Sequence, residues 1–388
     1  MKFPEHLLKK LEARKKEDAF RVLTDASKGI DFSSNDYLGL ATQSELYNKA
    51  HRRLLARKNH KSGAGGSRLL TGNHNLYIQA EALIAQVHKS EAALVFPSGY
   101  MANLGLIAAI ANRECVILYD SLCHASIREA IGFSKAKSFK FSHNDLDHLE
   151  KLINKYQSEG KSLFVITESV FSMDGDSPDL LALASLCKRY GCYCILDEAH
   201  AVGVFGESGQ GLAAALKIED AFFARIVTFG KALGSHGAAV LGSKQLVEYL
   251  INFSRPLIYT TGMSPISVAT ILEAYEWIQN SPEYIDERKK LHRNIALLRL
   301  NIVKYGLEDS FIKSDSAIHC CLVPGNSKAK AMANTIQRNG FDVRAILAPT
   351  VPKGHERLRI CLHSYNSEEQ INTLVKLLSQ TYSAHVVE

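Results

Sequence analysis

The chain lacks any long apolar run. No stretch of its 388 residues approaches the roughly 18 consecutive apolar residues that a membrane-spanning helix requires. Residues 1–21 carry many lysines, arginines and glutamates, unlike the apolar core of a secretory signal peptide. Internal repeats and low-complexity segments are also missing from the sequence. The sequence therefore predicts a globular protein of the cytoplasm without a membrane partner.

The eight cysteines lack the spacing of a metal site. One residue separates Cys192 from Cys194, and Cys320 is adjacent to Cys321, whereas paired zinc ligands are usually about two to four residues apart. Disulfides are rare in cytosolic proteins. We therefore expect buried, reduced thiols and no bound metal.

Residues 197–200 read Asp-Glu-Ala-His, a tetrapeptide shared with a family of nucleic-acid helicases. An ATP-driven motor also needs a phosphate-binding loop of the form G-x-x-x-x-G-K-[S/T]. The nearest candidate is Gly160-Lys161-Ser162, but Lys155 occupies the position of the first glycine. The net charge of +6 is spread over scattered basic residues, whereas nucleic-acid-binding proteins concentrate theirs. Both observations argue against a motor and against a nucleic-acid partner.

Short apolar segments alternate with helical patterns through the middle of the chain. Solid apolar runs of this kind are typical of parallel strands that are buried on both faces. The pattern predicts an α/β fold with a mostly parallel sheet covered by helices. The predicted strands are 92–96, 116–119, 138–141, 163–166, 193–196, 226–229 and 238–241.

The pattern changes after residue 265. Long helical patterns cover 265–279 and 283–305, and strands near 319–322 and 358–362 then mix with helices near 327–339 and 367–382. This mixture indicates a smaller α+β domain. We predict an N-terminal segment at 1–40, a large α/β domain at 41–275 and a smaller C-terminal domain at 276–388.

Polar side chains come directly after several of the predicted strands. Gly99 begins a helix after the first strand, and His124 begins one after the second. Asp197 and His200 come after a third strand, and Lys231 lies just past a fourth. Each residue alone is more often structural, as a helix cap, a buried histidine or a strand-end charge. Ligands of such sheets, however, bind outside the carboxyl ends of the strands.

Together these residue types match the needs of pyridoxal phosphate. The cofactor requires an amine for a Schiff base, a carboxylate that keeps its ring nitrogen protonated, a donor to its ring hydroxyl and a phosphate site. Lys231, Asp197 and His200 supply the first three. The helix start at Gly99 and Tyr100 presents free amides to a phosphate.

Motifs along nearly the whole chain resemble the α-oxoamine synthases. These pyridoxal-phosphate enzymes condense an amino acid with an acyl-CoA and release carbon dioxide. The number and order of the motifs, rather than any single one, carry the resemblance. The motifs are SSNDYLGL at 33–40, GAGGSRLLTG at 63–72, SGY at 98–100, HAS at 124–126, TESVFSMDGD at 167–176, DEAH at 197–200, TFGK at 228–231, and PTVP at 349–352 before RLR at 357–359.

The pattern is most similar to the family members that join L-alanine to a pimeloyl thioester in biotin biosynthesis. The resemblance implies the type I fold of pyridoxal-phosphate transferases and a homodimer with shared active sites. It assigns catalysis to Lys231, His124 and Asp197. It also implies cofactor binding by Gly99, Tyr100, His124, Ser172, His200, Thr228, Thr260 and Thr261, the last two across the dimer, and substrate binding by Arg21, His124, Thr350 and Arg359.

Several alternatives stay open at this level. A sibling synthase would use glycine or serine with another acyl-CoA, and a non-catalytic binding protein is a more distant alternative. The thioester carrier is either CoA or an acyl carrier protein. Arg357 and Arg359 point to the same face of a predicted strand, so periodicity does not choose between them. Leu347 stands where the biotin-type relatives often carry arginine.

Overall fold

The computed structural model describes residues 2–23, 29–59 and 61–385, which form two compact units. The first unit comprises Met1–Asn35, Met173–Asp176 and Lys289–Glu388. The second unit comprises Asp36–Ser172 and Ser177–Arg288. The predicted domains are continuous stretches of sequence, whereas each compact unit combines separate stretches. The predicted boundaries at residues 40 and 275 therefore stay a prediction.

The described residues form fourteen α-helices and twelve strands. The α-helices are α1 (Glu5–Lys16), α2 (Ser44–Ala56), α3 (Asn75–Val87), α4 (Gly99–Ile110), α5 (Ala125–Phe133), α6 (Leu146–Gln157), α7 (Leu180–Tyr190), α8 (Leu212–Ala215), α9 (Lys244–Phe253), α10 (Arg255–Ile258), α11 (Pro265–Asn280), α12 (Pro282–Lys304), α13 (Asn326–Arg338) and α14 (Glu368–His385). The strands are β1 (Ile30–Asp31), β2 (Ala92–Phe96), β3 (Cys115–Asp120), β4 (Lys137–Phe141), β5 (Ser162–Glu168), β6 (Tyr193–Asp197), β7 (Ala224–Thr228), β8 (Ala238–Gly242), β9 (Ile318–Leu322), β10 (Phe341–Asp342), β11 (Arg344–Ile346) and β12 (Arg357–Cys361).

A seven-stranded sheet organises the second unit, in the order β2-β8-β7-β6-β5-β3-β4. The strands β4, β3, β5, β6 and β7 are parallel, and β8 is antiparallel to both β7 and β2. Strand β2 therefore runs in the same direction as the parallel set. All the carboxyl ends except that of β8 lie at one edge of the sheet, where β8 begins. The predicted α/β class and mostly parallel sheet are confirmed.

Apolar side chains cover both faces of this sheet, which explains the continuous apolar runs. On β5, Phe164 and Ile166 pack into one hydrophobic cluster with α4, α5 and α9. Leu163 and Val165 alternate with them and pack into a second cluster with α6 and α7. Successive strand residues point to opposite faces, so a strand buried on both sides must be apolar throughout.

The first unit contains a three-stranded antiparallel sheet in the order β11-β12-β9 and a short parallel pair, β1 with β10. Strands β9 and β12 were predicted within one residue at each end. The two- and three-residue strands β1, β10 and β11 were not, because so short a segment shows no periodicity. Helix α1 was also missed, and it has no buried residue that would create an apolar stripe.

A buried ion pair joins the segment Met173–Asp176 to this sheet. Arg357 Nη1 lies 2.5 Å from Asp174 Oδ1 and also donates to the main-chain oxygen of Met173 at 2.8 Å. Both charged side chains are almost completely buried. The pair explains why this short segment belongs to the first unit.

The expected burial of the cysteine thiols is found for seven of the eight. All eight lie within the described ranges, none forms a disulfide, and all but Cys192 are buried.

A separate finding concerns the helices. Within the described part of the chain, no helix has both the length and the apolar character needed to cross a bilayer.

We expect Asp174→Ala to lower the free energy of unfolding by about 3–5 kcal/mol, because it leaves Arg357 buried without its carboxylate. Urea unfolding followed by circular dichroism measures this loss. The control is Glu5→Ala, which removes the exposed partner of Lys9 and should leave the midpoint unchanged. An unchanged midpoint for Asp174→Ala would contradict the stabilising role of the buried pair.

Candidate functional site

A cavity of about 230 Å³ opens at the carboxyl edge of the sheet in the second unit. Helix starts and loops that come after β2, β3, β5, β6 and β7 line it, because these strands end at the same edge. The structure brings together eight of the residues predicted from the sequence: Gly99, Tyr100, His124, Ser172, Asp197, His200, Thr228 and Lys231.

Asp197 is the last residue of β6 and lies inside the cavity wall with 6% of its surface exposed. Its Oδ2 accepts a hydrogen bond of 2.8 Å from the side-chain amide of Asn103. Its Oδ1 accepts one of 2.9 Å from the main-chain N–H of Ala199. These two donors stabilise a charged carboxylate that burial alone would disfavour. Asp197 can therefore present a negative charge to a ligand.

Lys231 and His200 contact each other at the neighbouring strand ends. Lys231 Nζ lies 2.9 Å from His200 Nε2, and His200 Nδ1 lies 2.7 Å from the hydroxyl of Tyr37. Tyr37 is completely buried, and Lys231 is half-buried after β7. The buried Tyr37 fixes the orientation of the imidazole, so the other ring nitrogen faces the lysine amine.

The first turn of α4 forms the part of the cavity suited to a phosphate. Ser98 caps the helix by accepting from the main-chain N–H of Met101 at 3.2 Å. A Cβ atom at Gly99 would lie 2.7 Å from Thr228 Cγ2, so a larger residue would force this wall apart. The N-terminus of a helix carries a partial positive charge and free amides, which attract anions.

His124 begins α5 at the mouth of the cavity. Its Nδ1 accepts from the main-chain N–H of Ser126 at 3.2 Å and lies 2.8 Å from the hydroxyl of Ser126. Partial burial of the ring lowers the pKa of His124, Lys231 and Arg128 lower it further, and Asp197 opposes them. A neutral imidazole at this position could lie against an aromatic ligand without adding a positive charge.

Three residues that hold this site together were not predicted from the sequence. Asn103 donates to Asp197, Tyr37 orients His200, and Glu168 accepts a 2.6 Å hydrogen bond from the main-chain N–H of His124. Glu168 ends β5 as Asp197 ends β6, so the strand-end argument could have found it. Asn103 and Tyr37 reach the site from a helix and from the segment before the sheet, and no strand-end pattern marks them.

The carboxyl group of Glu168 has an unusual protonation. Burial and the negative charge of Asp197 raise its pKa to about 8, although the hydrogen bond from the main chain of His124 opposes both. Lys231 also lowers the pKa, and Asp120 raises it. The raised pKa of Glu168 favours its protonated form beside Asp197.

Thr260 and Thr261 lie elsewhere in the second unit, after α10. The main chain of Thr261 forms an isolated antiparallel bridge with Ser67, inside the glycine-rich motif at 63–72. Thr261 is exposed and Thr260 is half-buried.

Of the four predicted substrate residues, His124 lies in the second unit and the other three belong to the first unit. Arg21 Nη2 donates to the hydroxyl of Thr350 at 2.9 Å, so two of these residues meet. Arg359 is buried in β12, where its two terminal nitrogens lie 2.9 Å from Asn35 Oδ1 and 2.9 Å from Cys361 Sγ. Arg357, two residues earlier, is already paired with Asp174.

The cavity residues fit pyridoxal phosphate. The set contains a primary amine, a buried carboxylate with two donors, an imidazole beside the amine and a helix N-terminus whose first residue is glycine. These are the groups that the cofactor requires.

Comparison with known proteins gives the same assignment. Residues 27–378 match the family model described as aminotransferase class I and II. The 8-amino-7-oxononanoate synthase of Lysinibacillus sphaericus is 36% identical over 374 residues, which cover 96% of this chain and 94% of that protein. The structure of Sphingomonas wittichii serine palmitoyltransferase matches with a TM-score of 0.89 at 25% identity, covering 99% of this chain and 98% of that chain.

A second solved structure also matches. The crystal structure of 8-amino-7-oxononanoate synthase from Francisella tularensis has a TM-score of 0.77 at 28% identity, covering 92% of this chain and 98% of that chain. These matches extend over nearly the whole chain in both sequence and structure. The chain therefore belongs to the aminotransferase class I and II family and, within it, to the α-oxoamine synthases.

Proposed function

We propose that this pyridoxal-phosphate-dependent acyltransferase condenses L-alanine with a pimeloyl thioester. The products are 8-amino-7-oxononanoate, carbon dioxide and the free thiol of the carrier, as in biotin biosynthesis. One structural observation carries the chemistry, which is the convergence of Lys231, His200 and buried Asp197 on one cavity. The choice of alanine and pimeloyl groups is supported by the names of the relatives at the sequence level.

The cavity residues divide the binding of pyridoxal phosphate among them. Amides at Gly99 and Tyr100 would hold the phosphate, Asp197 would pair with the ring nitrogen, and Lys231 would bind the aldehyde covalently. Ser172 and Thr228 would add hydrogen bonds. When bound, the cofactor supplies an electron sink for the amino-acid substrate.

Proton transfer is the task of Lys231. In the proposed reaction its Nζ removes the proton from Cα of alanine and later returns a proton to the same carbon. Between these steps Cα bonds to the thioester carbonyl carbon, the thiolate leaves and takes a proton from water, and the bond from Cα to the carboxylate breaks to release carbon dioxide. His200, 2.9 Å from Nζ, holds the amine in place, and Tyr37 fixes His200 in turn.

Arg359 is the proposed partner of the alanine carboxylate. A guanidinium group can donate two parallel hydrogen bonds to a carboxylate. The ion pair with Asp174 engages Arg357 in the first unit and favours Arg359 as the arginine that meets the substrate. Arg21 and Thr350, which contact each other, are proposed substrate contacts. His124 is proposed to stack on the cofactor and to position the substrate.

The proposal also includes a homodimer located in the cytoplasm. Thr260 and Thr261 would contact the cofactor phosphate of the partner subunit. The exposure of Thr261 supports this role, because an exposed hydroxyl is accessible to a second copy.

A sibling reaction is the second candidate. The fold similarity to a serine palmitoyltransferase favours a synthase that uses serine, or glycine, with another acyl-CoA. Both reactions need the same cavity, because the cofactor chemistry at the amino-acid Cα is the same. The substrates therefore have to be compared directly.

We expect purified enzyme to release thiol fastest with L-alanine and pimeloyl-CoA or pimeloyl acyl carrier protein. Alanine, glycine and serine should each be assayed with pimeloyl, acetyl, succinyl and palmitoyl thioesters. Thiol release is followed with a thiol reagent, and the product is identified by mass spectrometry. The control is Lys231→Ala, which lacks the amine and should be inactive with every pair. A higher kcat/KM for serine with palmitoyl-CoA would replace the pimeloyl proposal with the sibling reaction.

Asp197→Asn should reduce kcat by at least about 10²-fold, because the amide cannot supply the negative charge that the protonated ring nitrogen needs. Steady-state kinetics with saturating cofactor measures the loss. The same substitution at the exposed Asp220 is the matched control and should leave kcat unchanged. Near-normal turnover of Asp197→Asn would assign Asp197 a purely structural role.

Arg359→Ala should weaken alanine binding by about 2–4 kcal/mol, which is roughly 30- to 900-fold in the dissociation constant. Titration with alanine, followed by the change in cofactor absorbance, measures the constant. Arg359→Lys should recover part of the loss, because lysine keeps the positive charge but cannot donate two parallel hydrogen bonds to the carboxylate. The exposed Arg338, changed to alanine, serves as control. An unchanged dissociation constant for alanine in Arg359→Ala would contradict this role and make Arg357 the next candidate.

A further inference from the structure

Glu168 and Asp197 occupy corresponding positions on adjacent strands. They end β5 and β6, and the parallel register places them directly opposite each other. Residues in register on neighbouring strands point to the same face of the sheet. Both line the cavity, with 3% and 6% of their surfaces exposed. Two carboxyl groups therefore share one small buried volume.

The carboxyl group of Glu168 also holds the start of α5. Its Oε1 accepts the main-chain N–H of His124 at 2.6 Å. This hydrogen bond ties the loop between β3 and α5 to the end of β5. The position of the His124 ring depends on that loop, so Glu168 acts on His124 through the backbone.

Two adjacent buried carboxylates would repel each other, so one of them keeps a proton near neutral pH. Among the described residues, Asp197 accepts from Asn103 and from the amide of Ala199, whereas Glu168 accepts from the amide of His124. More donors stabilise the charged form better. The proton therefore resides on Glu168, which agrees with its raised pKa of about 8.

We propose that Glu168 is a positioning residue that anchors the main chain of His124 and, by keeping its proton, leaves Asp197 as the charged carboxylate of the cavity. This proposal rests on the proposed function in one respect only, which is that the negative charge of Asp197 pairs with the ring nitrogen of the cofactor. The proton and the hydrogen bond are properties of the protein without cofactor, and they can be tested there.

Stability should depend on pH through this group. The folded protein keeps the Glu168 proton up to about pH 8, because its pKa is raised, whereas an unfolded chain loses it near 4.5. The unfolded state binds fewer protons between these values, so this group makes stability fall as pH rises through the window. Asp197, Lys231, Asp120 and His124 face Glu168, and they are present in both wild type and the Glu168→Gln variant.

The first experiment compares wild type with Glu168→Gln, both without cofactor. Glutamine keeps the carbonyl acceptor for His124 but has no titratable proton. From about pH 5 to about pH 8 the melting temperature of wild type should fall by about 2 °C or more relative to the variant. Parallel melting curves across this range would overturn the proposal.

Infrared difference spectroscopy of the wild type provides a test that does not depend on the variant's folding. The carbonyl band of a protonated carboxyl group should disappear as pH rises through about 8. Burial also raises the pKa of Glu198, so Glu198→Gln is the control and should retain the band of Glu168. A carboxylate spectrum for Glu168 at pH 7 would overturn the proposal.

The anchoring role is tested by the chemical shifts of the His124 imidazole, again without cofactor. Glu168→Ala removes the acceptor and should move these shifts, whereas Glu168→Gln should restore them to the wild-type values. Equal shifts in all three proteins would remove the anchoring role. If these results hold while no substrate pair gives thiol release, only the proposed function fails, and the assignment of Glu168 stands.

Discussion

A buried negative charge at the end of β6 is the constraint on which the site depends. A carboxylate with 6% exposure is stable only if nearby donors replace water, and Asn103 and the amide of Ala199 do so. The neighbouring Glu168 would cancel this advantage if it were ionised as well. The protonation of one carboxyl group and the solvation of the other are therefore parts of the same arrangement.

Strand direction explains how so many polar groups reach one cavity without disrupting the core. Their side chains lie at or just past the ends of strands whose bodies are apolar on both faces. The reversed strand β8 lets β2 run with the parallel set, so that the helix start at Gly99 arrives beside Thr228 and Lys231. A Cβ atom at Gly99 would crowd the methyl group of Thr228, which favours glycine at this position. The phosphate site thus depends on sheet topology as well as on local sequence.

The apolar periodicity of the sequence predicted the sheet, and strand-end positions predicted six of the eight cavity residues, whereas Ser172 and Thr228 were implied by the family resemblance. Buried strands are apolar, and polar residues occupy the positions directly after them. Asn103 and Tyr37 were not predicted, because their roles lie in contacts with other side chains that depend on tertiary packing, whereas the position of Glu168 at the end of β5 could have identified it. The choice between Arg357 and Arg359 was likewise undetermined, since both point to one face of β12. Their partners differ in the structure, since Arg357 pairs with Asp174 and Arg359 contacts Asn35 and Cys361.

The proposed chemical tasks divide between the two units. Groups that fit the cofactor lie in the second unit, whereas Arg21, Thr350 and Arg359 lie in the first. The second unit needs the same cavity whichever amino acid and acyl group react, because the electron sink and the proton transfer do not change. An oxononanoate synthase and a serine palmitoyltransferase can therefore share this fold. Substrate choice must depend on residues that contact the amino-acid side chain and the acyl chain. The shared fold alone does not determine these contacts.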